Sequence, residues 1–299
     1  MSKVFYYLII KPLSHVPLPI LYLLSDVVFL LLYRLVGYRT KVVRTNMRNS
    51  FPDKSEAEIT VLMVAFYKHF CDLIVEGIRV FSMPKDEIIR RFKILNPELI
   101  DQFYEQGKGV AMIAGHYNNW EMAVVAFDLQ VKHKTLGIYA PLKDTFMDEQ
   151  VRKSRGKYGV ELLSRKKVRS FFEKENLSDK AIIFANDQAP SNPKKSYWMD
   201  FLNQDTPVFF GPEKYTKEKD LIPVFAWIKK VKRGHYETTL EVISNDPKHT
   251  EHGFITESHT RMLEEEIRSA PEFWLWTHRR WKRKREEGRE VQKTEQGIQ

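Results

Sequence analysis

From Val110 onward the chain is a succession of short apolar runs, several followed by a stretch with helical spacing. This alternation constrains the fold more than any other feature of the 299 residues. The runs lie at residues 110–114, 136–139, 181–185, 221–227 and 238–243. Continuous apolar runs of this length predict strands buried on both faces. Residues 122–128, 145–157 and 167–175 between them predict helices. The expected fold class is therefore α/β, with a mixed, largely parallel central sheet covered by helices. Upstream, Asn49-Ser50-Phe51-Pro52 breaks the chain, and Ser55 with Glu58 has the spacing of a capping box. A helix is expected from there to about Val80, with Leu62, Phe66, His69, Leu73 and Ile78 on its apolar stripe. Two shorter helices are expected at 85–92 and 97–105. Residues 189–219, rich in Pro, Lys and Asn, read as long loops, and the charged tail after Trp281 as a helix that frays.

Residues 16–33 (VPLPILYLLSDVVFLLLY) form the most apolar segment. A spanning helix needs roughly 20 apolar residues. This run is near that limit and carries Asp26, and a carboxylate at a bilayer centre costs about 2.5–3.5 kcal/mol. It can span, enter partway or lie along the membrane. Arg34, Arg39, Lys41 and Arg44 follow instead of a small-residue cleavage site, so the segment reads as a retained anchor with a cytoplasmic basic flank, not a signal peptide. The expected organisation is an anchoring helix at 1–40, a catalytic domain at 41–285 and a charged tail at 286–299. The balance of 48 Lys and Arg against 39 Asp and Glu gives +9, which suits anionic partners. The single cysteine, Cys71, excludes an internal disulfide, favours a reducing compartment and reads as buried and inert.

The chemistry concentrates in Val110–Glu121, VAMIAGHYNNWE. An apolar strand ends at Gly115, His116 follows, Asn118 and Asn119 are good helix caps, and a helix begins near Trp120. His116 thus stands at the carboxyl end of a strand, where open α/β sheets bind ligands. On one helix His116 and Glu121 would diverge by about 140°. With His116 on the loop and Glu121 in the first turn they can meet, Glu121 orienting the imidazole while its other nitrogen takes a proton from an alcohol. No His or Cys with metal-ligand spacing stands near, so neither a metal nor another cofactor is expected. Read from the residues alone, His116 can also be a strand-end histidine with a structural bond, and Asp187 a turn cap.

Gly115-His116-Tyr117-Asn118-Asn119-Trp120-Glu121 resembles the catalytic block of the lysophospholipid acyltransferase superfamily, and more narrowly that of the lipid A late acyltransferases. Further blocks agree in order: residues 42–52, Tyr139-Ala140-Pro141-Leu142-Lys143, Arg155-Gly156-Lys157-Tyr158-Gly159, Asn186-Asp187-Gln188-Ala189-Pro190, and Pro271 to Lys282. The resemblance spans nearly the whole chain. It implies an inner-membrane enzyme with its catalytic domain on the cytoplasmic side. The donor would be an acyl thioester on acyl carrier protein or coenzyme A (acyl-CoA), and the acceptor a lipid A hydroxyl. It also implies His116 and Glu121 as the catalytic pair, with Asn118, Asn119, Arg155, Arg165 and Asp187 as substrate-binding residues and no nucleic-acid partner. Ala189 stands where the family usually has a basic residue, and residues 191–205 and 213–219 depart from its pattern, which leaves chain length and acceptor open. A lysophospholipid or an amino-acid lipid is an alternative acceptor. A basic membrane-surface or nucleic-acid-binding protein with a structural His116 is the alternative of another class. Trp274, Trp276, Trp281, Arg279, Arg280 and Lys282 read as a helix at the membrane surface.

Overall fold

A computed structural model describes residues 1–285. The expected α/β class holds. The chain begins with helical segments α1 (Ser2–Phe5), α2 (Lys11–Ser14) and α3 (Leu18–Phe29), with π-helical turns at Tyr6–Ile10 and Leu30–Leu35. Then follow α4 (Thr40–Ser50), α5 (Glu56–Val80), α6 (Lys85–Arg91), β1 (Phe92–Ile94), α7 (Glu98–Glu105), β2 (Val110–Ala114), α8 (Trp120–Phe127) and β3 (Lys134–Tyr139). The chain continues through α9 (Thr145–Gly156), β4 (Glu161–Ser164), α10 (Val168–Lys174), β5 (Lys180–Ala185), β6 (Ser196–Phe201), β7 (Gln204–Phe209) and α11 (Gly211–Lys219). The last elements are β8 (Ile222–Lys232), β9 (His235–Val242) and α12 (Phe254–Ser269).

Seven strands form one sheet in the order β1-β9-β8-β2-β5-β3-β4. The five from β8 to β4 are parallel, β9 runs antiparallel to β8, and β1 is parallel to β9. The chain passes from β2 over to β3 and β4 and returns to insert β5 between β2 and β3. The carboxyl ends of β2 and β5 therefore lie side by side, with Ala114 opposite Ala185. Apolar side chains pack against both faces of this sheet, which is why its central strands read as unbroken apolar runs.

The capping box at Ser55 is formed in both directions, Ser55 Oγ accepting from the Glu58 N–H while the Glu58 carboxylate accepts from the Ser55 N–H. The buried face of α5 is broader than the expected stripe. Ile59, Met63, Phe66, Tyr67, His69, Cys71 and Val75 are inside, whereas Leu62, Leu73 and Ile78 are only half-buried. α5 is covered on more than one side, because α3 and α4 pack on it as well as the body of the domain. Cys71 is buried, and burial followed by the charge of Asp72 pushes its thiol up to about 12.

Residues 18–35 make an apolar helix of 18 residues, only 22% buried and long and apolar enough to cross a membrane, and this is the candidate for the membrane-associated helix expected from the sequence. It is docked along the domain through polar contacts. Ser25 donates to Asp72 (2.8 Å), Tyr22 donates to Glu76 (2.8 Å), and Arg233 bridges Asp26 (2.8 Å) and Asp72 (2.6 Å). Asp26 is therefore an ion-pair partner here, not an isolated charge on an apolar rod.

Three expectations are corrected. Residues 189–219 are not long loops: β6 and β7 form a hairpin and α11 follows. The turn residues Leu202 and Asn203 both have positive φ (52° and 61°), the conformation of a tight hairpin turn usually built with glycine, and Pro207 lies within β7. Both features hide the hairpin from pattern reading. Second, the segment after α12 is no helix at a membrane surface. A 3-10 turn at Pro271–Phe273 leads into an irregular strap of turns with Trp274, Trp276 and Arg280 buried. Third, residues 282–285 lack regular structure, and the rest of the expected tail helix, with the expected boundary at 286–299, lies outside the described residues.

Candidate active site

His116 and Asp187 each stand two residues beyond a paired strand end, on neighbouring parallel strands, and this register brings them together. His116 Nδ1 lies 2.6 Å from Asp187 Oδ1, and the His116 backbone N–H donates to Asp187 Oδ2 (2.8 Å). Trp274 Nε1–H donates to the same Oδ2 at 2.8 Å, so the strap locks the carboxylate from below. A carboxylate on Nδ1 selects the tautomer with its proton there and leaves Nε2 as the acceptor. The Gln188 amide nitrogen approaches that Nε2 at 3.3 Å, in keeping with the same tautomer. The His116 side chain keeps 19% of its surface exposed, whereas Asp187 keeps 3%. Burial works against the imidazolium, but the charge and hydrogen bond of Asp187 outweigh it with help from Glu121, and the pKa of His116 is raised. The pKa of Asp187 moves the other way: burial opposes ionisation, while His116 and the Trp274 hydrogen bond stabilise the anion and hold it well below the usual carboxylate range.

Gly115 has a steric reason. A Cβ there would stand 2.7 Å from Leu263 Cδ1 and 3.4 Å from Asp187 Oδ2. A side chain there requires the Leu263 methyls to move, while the Asp187 carboxylate stays at ordinary contact distance.

The expectation that Glu121 holds the imidazole needs correction. Nδ1 belongs to Asp187, and Glu121 is gripped by Arg155 through two bonds, Nε–Oε2 at 3.0 Å and Nη2–Oε1 at 2.6 Å. Glu121 still acts on His116 through its charge. The pair is partly open to solvent, with 35% of Glu121 and 24% of Arg155 exposed. Asn118 and Asn119, expected to contact substrate, are buried and hold the loop instead. Asn118 sits in the left-handed region (φ 50°) and donates from its side chain to the Ile228 carbonyl at 2.6 Å. Asn119 caps α8 through the Met122 N–H (2.8 Å) and donates to the buried Glu76 at 2.6 Å. Arg165 is exposed at the end of β4, on the same sheet edge but three strands from β2, roughly 14 Å at a strand spacing of about 4.8 Å.

Sequence reasoning missed the roles of Glu76, Gln188 and Trp274. Asp-Gln and the tryptophan-rich end were visible as blocks, but no local pattern says that they meet at one histidine. The outermost blocks also meet. Asn46 donates to the Trp276 and His278 carbonyls (both 3.0 Å), and Phe51 packs on Trp276 with ring centroids 5.8 Å apart.

Comparison with known proteins assigns the chain to a family. The profile of the family described as bacterial lipid A biosynthesis acyltransferase matches residues 2–283. The chain belongs to that family. The match covers the apolar helix at 18–35, the His116 loop and the terminal strap together, so the family's pattern extends over nearly the full described length. It is also similar to the lipid A biosynthesis lauroyltransferase of Escherichia coli (strain K12). The two are 21% identical over 275 residues, covering 89% of this chain and 86% of that protein.

Proposed function

We propose that the protein transfers a fatty acyl chain from an acyl thioester, carried on acyl carrier protein or coenzyme A, to a hydroxyl of a lipid A precursor at the cytoplasmic face of the inner membrane. The observation that carries the mechanism is the 2.6 Å contact between His116 Nδ1 and a buried aspartate, with Nε2 left as an acceptor at a partly open site. The acceptor hydroxyl replaces Gln188 at Nε2. As its oxygen attacks the thioester carbonyl, the proton passes to Nε2 and Asp187 stabilises the imidazolium. The N–H groups of Trp120 and Glu121, in the first turn of α8, serve the oxyanion. The tetrahedral intermediate then collapses, the carbon–sulfur bond breaks, and Nε2–H returns its proton to the leaving thiolate. The products are an ester and a free thiol.

Asp187 is a positioning residue in this scheme. Glu121, clamped by Arg155, adds charge that favours the imidazolium and lines the acceptor side, and Arg155 and Arg165 offer cations to acceptor phosphates.

The test is transfer from acyl-carrier-protein thioesters of several lengths to a tetra-acylated lipid A precursor, followed by mass spectrometry, with His116→Ala in parallel. A mass gain in the wild type that the variant lacks supports the reading and names the chain. Gain only with a lysophospholipid or an amino-acid lipid overturns the acceptor. No transfer by folded protein from any thioester to any lipid overturns the function.

A further inference from the structure

A second polar depression lies apart from the residues around His116. It is a groove of about 360 Å³ lined by Tyr33, Arg34, Thr40, Lys41, Arg44 and Met63, where the apolar helix ends and α4 begins. Three of its six lining residues are cations. The carboxylate nearest to them in the ion-pair network is Glu56, which Arg44 (2.9 Å) shares with Arg48 (2.8 Å). Arg34 and Lys41 have no carboxylate partner among the described residues. Arg34 packs over the Tyr33 ring, 5.7 Å from its centroid, which holds the guanidinium at the groove. Two cations without a carboxylate partner and a third that shares its carboxylate stand around one depression, a charge arrangement that suits a phosphate group.

The flank of the groove decides which phosphate. Next to Tyr33 and Arg34 along the chain, Leu30, Leu31, Leu35 and Val36 are exposed at 54%, 47%, 76% and 69%. A soluble phosphate has no use for an apolar wall. A phospholipid has a use for both, its headgroup phosphate in the groove and its acyl chains along the helix. We propose that this groove binds the phosphate of an anionic membrane lipid, and so fixes how deeply and in what orientation the helix at 18–35 meets the bilayer. The inference is independent of the transfer chemistry, because none of the groove residues belongs to the site at His116.

The test is flotation of the full chain with vesicles of phosphatidylcholine alone or with phosphatidylglycerol added, comparing wild type with Arg34→Ala/Lys41→Ala. A control variant, Lys93→Ala/Lys174→Ala, removes the same charge from exposed positions elsewhere. Each cation near an anionic surface contributes about 1 kcal/mol, so the groove variant should lose about thirtyfold in partition to the anionic vesicles. It should keep wild-type partition to phosphatidylcholine, and the control should stay within about threefold of wild type on both. Restoring charge as Arg34→Lys/Lys41→Arg should recover most of the loss. Equal losses in the groove and control variants would reduce the effect to diffuse charge and overturn the site. Calorimetric titration of inorganic phosphate into detergent-solubilised protein supplies the other arm. Saturable binding lost in the groove variant, together with unchanged vesicle partition, would assign the groove to a soluble phosphate and overturn the lipid.

Discussion

One carboxylate holds His116 at two points, its backbone N–H and its ring, and the residue-scale predictions follow from that. In the proposed reaction His116 must be neutral to accept a proton. Its raised pKa places the acid limb of kcat/KM above the ordinary histidine value of about 6.5. Asp187→Asn removes the charge that raises it, burial then dominates, and the limb should move to lower pH. The rate at its plateau should fall about 10²–10⁴-fold, the range for losing one positioned acid-base partner. A pH–rate profile of the variant checks both, and an unmoved limb would mean that Asp187 does not set the basicity of His116. Gly115→Ala places a methyl 2.7 Å from Leu263, and such overpacking costs about 1–3 kcal/mol. Its denaturant midpoint should drop, because both Leu263 methyls stand within 3 Å of the added carbon.

Among elements, the junction between α5 and α8 is the most consequential. Glu76 is fully buried and accepts from Tyr22 of α3 (2.8 Å), Tyr236 of β9 (2.8 Å) and Asn119 at the cap of α8 (2.6 Å). Burial raises its pKa, and the three donors work against that rise. Asn119→Ala removes a helix cap worth about 1 kcal/mol and a hydrogen bond to a carboxylate worth about 1.5–3 kcal/mol. Urea unfolding should therefore report a loss of about 2–4 kcal/mol. Asn119→Asp keeps the cap but sets a second carboxylate against Glu76, and it should be less stable than the alanine variant near neutral pH. The reverse order would show that the cap alone matters. α12 has a comparable device: the buried Glu213 accepts from the Gly253 (2.7 Å) and Thr256 (2.9 Å) N–H groups at its start.

For the whole molecule, the buried His259 and the half-buried His278 weaken stability in acid. Burial depresses His259 to about 3 and His278 to about 4, and the nearby Asp187 charge only partly offsets this for His278. Both are depressed below the unfolded value, so below about pH 6.5 the unfolded chain binds protons that the folded chain refuses. Stability is thus lost as pH falls from about 6.5 towards their folded values, by about 1.4 kcal/mol per pH unit for each histidine. Glu266 has the opposite slope. Its folded pKa is raised to about 8 by burial, against the hydrogen bond from Ile228, so it lowers stability as pH rises from about 4.5 to 8. His259→Gln should flatten the acid side of the stability curve, measured as denaturant midpoint against pH between 4.5 and 7. An unchanged slope would mean that His259 is charged in the folded state.

What the sequence determined by itself is local or periodic. The apolar runs placed the central strands, Ser55 and Glu58 placed the start of α5, the run at 16–33 announced the long apolar helix, and Gly-His before Asn-Asn put His116 between a strand and a helix. These features were legible because each arises among residues close along the chain, where spacing alone carries the geometry. Tertiary structure decided what His116 touches. Asp187 lies 71 residues away and reaches the imidazole because β5 returns beside β2 in one particular register. Glu121, close in sequence, is turned to Arg155 instead, since on the first turn of α8 its carboxylate faces α9. The hairpin of β6 and β7 and the buried strap of Trp274, Trp276 and Arg280 escaped pattern reading for a related reason. A strand with a leucine in its turn and a proline in its ladder, or an arginine inside a core, is stabilised by what packs against it, and no spacing along a chain records that.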